Sequence, residues 1–250
     1  MKIVLVTSQA NYVRDNYDHL LGELLAHRGD QIVGLVVIRT VSPGLIARCA
    51  GLYAIGVRNI STILLKNAYD AVAGRPFADF EAAGIPVIFT DDINVDDTRE
   101  KLHELAPDLM INARTRSIYG PSALEIPQLG CINIHHGILP KQRGTMCDLW
   151  ALYEGRNPGF SIHEMNEKID QGQILHVHEH DDWDSKNYFE LPYQSSFAEV
   201  RSLIDVVDEI DAAGRIDGRP NRVDDDDEVI FRTDPDWRDI RAMRADGIVL

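Results

Sequence analysis

Short apolar runs that alternate with helical patterns constrain the fold of this chain more than any other feature. Apolar runs of strand length occur at residues 2–7, 31–38, 85–90, 108–112 and 131–135. Between them the sequence has helical periodicity, as in residues 14–27, where four leucines form one stripe. Runs this apolar are typical of strands covered on both faces. The alternation therefore predicts an α/β fold with a doubly wound, mostly parallel sheet.

The pattern changes after residue 135. The sequence then predicts a helix, two extended runs that form a hairpin or a pair of adjacent strands, a second helix, a short strand and a capped helix. These lie at residues 145–154, 159–165, 173–180, 196–213, 229–232 and from 234 onward. We expect a main domain at residues 1–182 and a small C-terminal extension, residues 183–250, packed on or near it. Two arrangements stay open for the apolar side chains of the extension, which either cover the core or form the two-fold interface of a homodimer. These side chains are Phe189, Leu191, Tyr193 and Phe197.

Charge and cysteine content exclude several classes of protein. A formal net charge of −15 argues against a nucleic-acid partner, because such a surface repels a phosphate backbone. Much of the negative charge lies at residues 179–184 and 224–228, which we expect to be solvated loops. No signal peptide is evident, and no apolar stretch reaches the ~20 residues that a membrane-spanning helix needs. Because Cys49, Cys131 and Cys147 form no CxxC pair, we expect a cytoplasmic protein without disulfides.

Two polar motifs stand out in the middle of the chain. The strand at residues 131–135 ends in Asn133-x-His135, Leu-Pro-x-x-Arg-Gly follows at residues 139–144, and Asp170-x-Gly172 lies between the two extended runs. In this order and at this separation the motifs resemble the signature of the 10-formyltetrahydrofolate-dependent formyltransferases, including the catalytic domain of methionyl-tRNA formyltransferases. The resemblance is close over residues 85–175 and covers the first 85 residues only as architecture. It implies that residues 1–182 are a formyltransferase catalytic domain.

The three motif side chains suit formyl transfer to an amine. Attack on a formyl carbon builds negative charge on the carbonyl oxygen, which the Asn133 amide and a protonated His135 can stabilise. The amine must also lose a proton, and histidine titrates near neutral pH. The resemblance implies that Asp170 orients the imidazole or positions a water that carries the proton. Each residue alone would be more typical of a buried polar group or a turn, so the assignment of Asn133, His135 and Asp170 as catalytic depends on their matched spacing.

The resemblance also implies 10-formyltetrahydrofolate as the co-substrate, and no metal. No GxGxxG or GxxxxGK[ST] motif supports a nucleotide cofactor held at a glycine-rich turn. In the family the pterin lies between the loop after the fourth strand and the loop that bears the catalytic Asp, here residues 112–118 and 166–171. The cofactor-binding residues implied are Asn112, Ala113, Arg114, Ile118, Asn166, Lys168 and Ile169. The first loop departs from the family by carrying Arg114 and Arg116, which either meet the glutamate tail of the folate or are solvated.

The acceptor is the least constrained part of the prediction. We expect it to lie near residues 141–150 and to contact His136, Lys141 and Arg143, while Trp150 and Tyr153 stack on a ring of the acceptor or, as we favour, pack within the protein. The chain is too short and too acidic to resemble a whole methionyl-tRNA formyltransferase, and it lacks the Gly/Ser-rich phosphate site of the purine-pathway enzyme. We therefore favour an amino sugar on a nucleotide carrier, or a natural-product amine. Three alternatives stay open: formyltetrahydrofolate hydrolysis, a methionyl-tRNA formyltransferase-like enzyme without the C-terminal domain, and a non-catalytic domain that binds a folate or a partner protein.

Three histidines alternate along the second extended run. His176, His178 and His180 share one face of a strand, because side chains two residues apart point the same way. Such a face has the residue type that binds zinc, but an exposed strand face is the interpretation that we favour.

Overall fold

A mostly parallel sheet lies at the centre of the computed structural model, which describes residues 1–73, 77–223 and 228–250. The strands are β1 Ile3–Ser8, β2 Ile32–Ile38, β3 Val87–Thr90, β4 Leu109–Asn112, β5 Gly130–His135, β6 Gln142–Gly144, β7 Gly159–Glu164, β8 Ile174–Glu179 and β9 Ile230–Arg232. The helices are α1 Asp18–Arg28, α2 Pro43–Ala54, α3 Arg58–Val72, α4 Ala78–Ala82, α5 Asp96–Leu105, α6 Pro121–Leu124, α7 Cys147–Tyr153, α8 Leu191–Ala213 and α9 Trp237–Ala245, and a 3-10 turn precedes α1. These bounds confirm the predicted α/β class.

The order of the strands shows where a ligand can bind. Seven strands of the described chain form one sheet in the order β3-β2-β1-β4-β5-β7-β8. The first five in this order are parallel, whereas β7 and β8 are antiparallel to their neighbours. The direction of winding reverses between β1 and β4, and ligands of such sheets bind at the carboxyl ends of the strands at this point. The loops after β1, β4 and β5 all open at that edge.

Both faces of the sheet are covered, as the apolar runs predict. In β1, Ile3 and Leu5 point to a core shared with α1 and α8, while Val4 and Val6 point to the opposite core with α5. All four side chains are buried. Adjacent residues of a strand point to opposite faces, so a strand buried on both sides has to be apolar throughout.

The C-terminal extension packs closely on the rest of the chain. Leu203 and Val206 of α8 belong to the same core as α1 and β7, β9 pairs in parallel with β6, and Leu191 packs in a cluster with α7 and α9. Phe197 contacts the ring of His19 at a centroid distance of 4.2 Å. In the structure these apolar side chains therefore pack against the core, and the two-fold interface of a homodimer stays a prediction.

Two helices begin four or five residues away from the predicted positions, which is the largest difference among the predicted helices. The predicted start of the first helix at residue 14 is wrong, because α1 begins only at Asp18. The three residues before it, Asp15, Asn16 and Tyr17, adopt positive φ angles of 55°, 54° and 63°. The helix predicted from residue 196 begins at Leu191, since Pro192 fits its first turn. Most of the acidic run at residues 224–228 lies outside the described residues. The three cysteines are free and buried, and no helix in the described ranges is long and apolar enough to cross a membrane.

His176 and His178 of β8 share one face with His180, which directly follows the strand, but that face is not exposed. His176 and His178 stack on the ring of Phe160 at 6.1 and 5.1 Å, and His180 lies 6.3 Å from it. The Nε2 atoms of His176 and His180 lie 3.0 and 3.1 Å from hydroxyls of α8. The expectation of an open strand face is wrong because α8 packs across it.

Candidate active site

The carboxyl end of β5 carries the centre of the candidate site. Asn133 and His135 project from the same face of β5, two residues apart. The turn between β7 and β8 brings Asp170 to them, so that its Oδ1 atom lies 3.5 Å from Nδ1 of His135. Both ring and carboxylate are buried, with 6% and 8% of their side-chain surface exposed. The structure thus brings the three predicted catalytic residues together from two separate motifs.

The hydrogen bond of His135 determines which nitrogen is available for chemistry. Its Nε2 lies 2.9 Å from the carbonyl oxygen of Gln142, and since a carbonyl only accepts, Nε2–H is the donor. The neutral ring therefore has its lone pair at Nδ1, on the side of Asp170. Gly137 allows this close contact, because a Cβ atom there would lie 2.6 Å from Nε2 of His135.

Asp170 is fixed in a turn that favours few residue types. Its φ angle is 54°, in the left-handed region that Asp tolerates better than most residues. Oδ2 accepts the backbone N–H of Gly144 at 2.9 Å. The other oxygen, Oδ1, faces His135 at 3.5 Å and Nε2 of His163 at 3.7 Å. The carboxylate is therefore positioned to stabilise positive charge on His135.

His163 is a site residue that the sequence did not reveal. It lies opposite Asn133 in the β5–β7 register. Its Nδ1–H donates to the carbonyl of Glu164 at 2.7 Å, and its Nε2 accepts from the Asn133 amide at 3.1 Å. Burial, together with the neighbouring His135, lowers the pKa of His163 to about 4, so the ring is neutral at pH 7 and acts as an acceptor. One amide hydrogen of Asn133 is thereby fixed, which orients the other. Knowledge of the strand register would have identified this residue.

A buried network of charges lies next to the site. Arg114 has a side chain that is 6% exposed, and it pairs with the fully buried Glu199 through Nε at 2.9 Å and through Nη2. His136 contacts Asp148 at 3.0 Å through Nδ1, and its Nε2 lies 3.4 Å from Glu199. Burial and Arg114 act to lower the pKa of His136, but Glu199 and Asp148 outweigh them and raise it. Burial would likewise raise the pKa of Glu199, yet Arg114 and His136 hold it well below the usual range.

This network changes the interpretation of the first cofactor loop. Arg114 was expected either to meet the folate tail or to be solvated, and the structure shows neither, because the guanidinium is buried against Glu199 and lies 4.0 Å above the ring of Tyr17. Arg116 is exposed and pairs with Asp234. Sequence alone did not single out Glu199, because it lies in a helix distant in the sequence.

The other predicted cofactor-binding residues lie at the same edge of the sheet. Asn112 is the register neighbour of Asn133, is buried, and accepts the N–H of Thr115 at 3.1 Å, which shapes the loop. Ala113 is also buried. The two loops also present exposed side chains, namely Ile118, Asn166, Lys168 and Ile169. Exposed apolar groups such as Ile118, 67% exposed, are available for contact with a flat ring.

The side chains of the predicted acceptor-binding residues differ in how far they are exposed to solvent. Lys141 has an exposed side chain. Arg143 is half-buried and donates to the carbonyl of Pro140 at 3.1 Å and to Oδ1 of Asn221 at 3.3 Å. Trp150 donates to the carbonyl of Thr233 and packs edge-on with Tyr153, which confirms that these two aromatic rings pack within the protein. His136, as described, lies in the buried charge network.

Comparison with known proteins identifies relatives in sequence and in fold. The sequence model of the family described as "Formyl transferase" matches residues 68–207, which is more than half of the chain. A methionyl-tRNA formyltransferase of Bacillus mycoides is 41% identical over 96 residues, which cover 38% of this chain and 31% of that protein. The chain therefore spans about a third of the length of this relative.

Solved structures with the same fold are more distant in sequence. A sugar N-formyltransferase from Shewanella sp. FDAARGOS_354 superposes with a TM-score of 0.58 at 17% identity, over 97% of this chain and 87% of that one. HypX from Aquifex aeolicus, solved in complex with tetrahydrofolic acid, superposes with a TM-score of 0.54 at 15% identity, over 95% of this chain and 30% of that one. At sequence identities this low, the likeness shows a shared fold alone.

Proposed function

This chain belongs to the formyl transferase family, and we propose that it transfers the formyl group of 10-formyltetrahydrofolate to the amine of a small acceptor. The observation that supports this best is the convergence of Asn133, His135 and Asp170 at the carboxyl end of β5. Formyl transfer is the activity of the family. The donor, the acceptor and the roles of the three residues are our proposal.

In the proposed mechanism the acceptor amine attacks the formyl carbon from the side of His135. Negative charge develops on the formyl oxygen, and the free N–H of the Asn133 amide donates to it; such a donor contributes about 3–4 kcal/mol of transition-state stabilisation. Nδ1 of His135 takes the proton of the amine, since its Nε2–H is committed to Gln142. Asp170 stabilises the imidazolium that results. Collapse of the intermediate breaks the bond between the formyl carbon and the nitrogen of tetrahydrofolate. That nitrogen takes the proton from the His135 imidazolium and leaves as a neutral amine, which returns His135 to its neutral form.

Several observations support the proposed donor and acceptor. The loops at residues 112–118 and 166–171 flank the catalytic residues and carry exposed apolar side chains that suit a pterin ring. A protein of the same fold binds tetrahydrofolic acid. A net charge of −15 is unfavourable for tRNA, whereas another protein of this fold is a sugar N-formyltransferase. We therefore propose an amino sugar on a nucleotide carrier, or a natural-product amine, as the acceptor class.

The proposal is tested by product analysis with purified protein. We would supply 10-formyltetrahydrofolate with a panel of dTDP- and UDP-linked amino sugars and small aliphatic amines, and measure tetrahydrofolate and the formylated product together. Release that requires an acceptor and is lost in Asp170→Asn, but kept in the exposed control Asp181→Asn, supports the proposal. Release without any acceptor would instead show a hydrolase, and folate binding without turnover would show a binding domain.

A further inference from the structure

The turn that carries Asp170 is held by a side chain from the C-terminal extension. Nδ2 of Asn221 donates to the carbonyl of Asp170 at 3.0 Å and to the carbonyl of Gly172 at 2.9 Å. Both hydrogens of one amide group thus bind the two carbonyls that flank the tip of the turn. The oxygen of the same amide accepts from Nη2 of Arg143 at 3.3 Å.

Neighbouring contacts fix the position of Asn221 itself. Residues 218–221 run along the turn and the start of β8, with backbone hydrogen bonds in both directions between Arg219 and Ile174 at 2.9 Å. Gln173 adds a side-chain contact to the same segment, because its Oε1 accepts the N–H of Gly218 at 3.2 Å. The backbone that precedes Asn221 is therefore held against the turn and the start of β8, which places the amide of Asn221.

Strand β6 connects Asn221 to the side chains of Asp170 and His135. Arg143, which contacts Asn221, precedes Gly144, whose N–H binds the Asp170 carboxylate at 2.9 Å. The strand also includes Gln142, whose carbonyl binds His135. Asn221 thus joins the backbone of Asp170 to the strand that holds both its carboxylate and the histidine.

We propose that Asn221 is a positioning residue that holds Asp170 in its left-handed conformation, with Oδ1 directed at His135. The inference rests on the proposed function only in so far as it assigns a role to Asp170. An Asp at a φ of 54° needs support from its surroundings, because this region is less favourable than extended or helical backbone. Without the amide, two carbonyls lose their donor and the turn relaxes. A displacement of about 1 Å in a reacting group costs up to about 100-fold in rate.

The test compares Asn221→Leu, which keeps the shape of the side chain and removes its hydrogen bonds, with Asn221→Asp and Gln173→Met. Asn221→Asp keeps the acceptor for Arg143 but cannot donate to the two carbonyls. Gln173→Met removes a side-chain contact between the same two segments and leaves the amide of Asn221 in place. We would measure kcat and KM for 10-formyltetrahydrofolate with the dTDP- and UDP-linked amino sugars, and amide hydrogen exchange at Gly144 in the same proteins.

Both Asn221 variants should lose about 30-fold or more in kcat with KM for the folate changed less than about threefold, while Gln173→Met retains kcat. Hydrogen exchange at Gly144 should accelerate in the Asn221 variants alone, because the Asp170 carboxylate no longer protects it. Unchanged kcat and exchange in Asn221→Leu, or equal losses in Gln173→Met, would overturn the proposal. If the wild-type protein turns over none of the amines, the proposed function fails, and the exchange experiment still decides the role of Asn221.

Discussion

Replacement of Glu199 by Gln perturbs the most deeply buried charge of the structure while keeping the size of the side chain. Glu199 accepts two hydrogen bonds from Arg114 and one from Ser195 at 2.7 Å, with no exposed side-chain surface. In the variant one carboxylate oxygen becomes an NH2 group that faces the N–H donors of the guanidinium. The change leaves a buried positive charge without compensation, and removal of one partner of a buried pair costs about 3–5 kcal/mol.

A matched pair elsewhere in the chain provides the control. Arg14 and Glu190 also form an Arg–Glu pair, at 3.1 Å, and Arg14 also lies above an aromatic ring, at 3.8 Å. Their side chains are 35% and 30% exposed, so solvent screens the interaction and Glu190→Gln should cost about 0–1 kcal/mol. Both free energies of unfolding would be measured by urea denaturation at pH 7.

The double variant Arg114→Met, Glu199→Gln tests the cause of the loss. Because it removes the uncompensated guanidinium, its destabilisation should fall short of the sum of the single changes by more than about 1 kcal/mol. The reasoning is refuted if Glu199→Gln costs no more than Glu190→Gln, or if the two single changes are additive.

The charge network of Arg114, His136, Asp148 and Glu199 also makes the stability of the fold depend on pH above about 6.5. Glu199 and Asp148 raise the pKa of His136 against the opposing effect of burial and Arg114. A raised folded-state pKa contributes stability that is complete below the unfolded value of about 6.5 and is lost as pH rises through the folded value. The free energy of unfolding should therefore decline above pH 6.5 more steeply in the wild type than in His136→Gln, and parallel profiles would contradict this.

Two further predictions concern the backbone and acid stability of the site. Because burial lowers the pKa of His163 to about 4, the unfolded chain binds the proton of this residue more tightly than the folded chain does. The free energy of unfolding should therefore fall by up to about 3 kcal/mol between pH 6.5 and pH 4 in the wild type relative to His163→Gln. It would be measured by urea denaturation, and equal slopes of this free energy against pH in the two proteins would refute the prediction. Gly144→Ala should destabilise by more than Gly155→Ala in thermal unfolding: both glycines have positive φ, but only at Gly144 would a Cβ lie 1.9 Å from the carbonyl of Arg232, and equal losses would show that this contact is relieved without cost.

The parts of the fold that the sequence predicts are those that local patterns determine. The apolar strands β1 to β5 and the hairpin β7–β8 follow from periodicity, because a strand covered on both faces is apolar throughout. The 3-10 turn before α1 could not be predicted, because residues 15–17 adopt positive φ in response to contacts made by the folded chain. One of these is the acceptance of the Asn11 N–H by Oδ1 of Asn16 at 2.9 Å.

The residues of the candidate site also differ in whether a local sequence pattern reveals them. Asn133, His135 and Asp170 were predicted from the spacing of their motifs, and the structure places Asp170 3.5 Å from His135 and Asn133 on the same face of the same strand as His135. His163 depends on the register of two strands, and Glu199 depends on how α8 crosses the sheet; neither is encoded in a local pattern. Arg114 was misinterpreted for the same reason, since its partner lies on an element distant in the sequence.

The contacts between the C-terminal extension and the candidate site argue against dividing the chain into two domains at residue 182. The extension supplies Glu199, which neutralises Arg114 on the loop after β4, and Asn221, which holds the turn of Asp170. Its strand β9 pairs with β6, the strand that binds His135 and Asp170. Removal of a segment that contacts both sides of the candidate site in this way would leave a buried charge and backbone polar groups without partners. We therefore infer that residues 183–250 complete the formyltransferase domain, and that a chain ending at residue 182 would not retain the site.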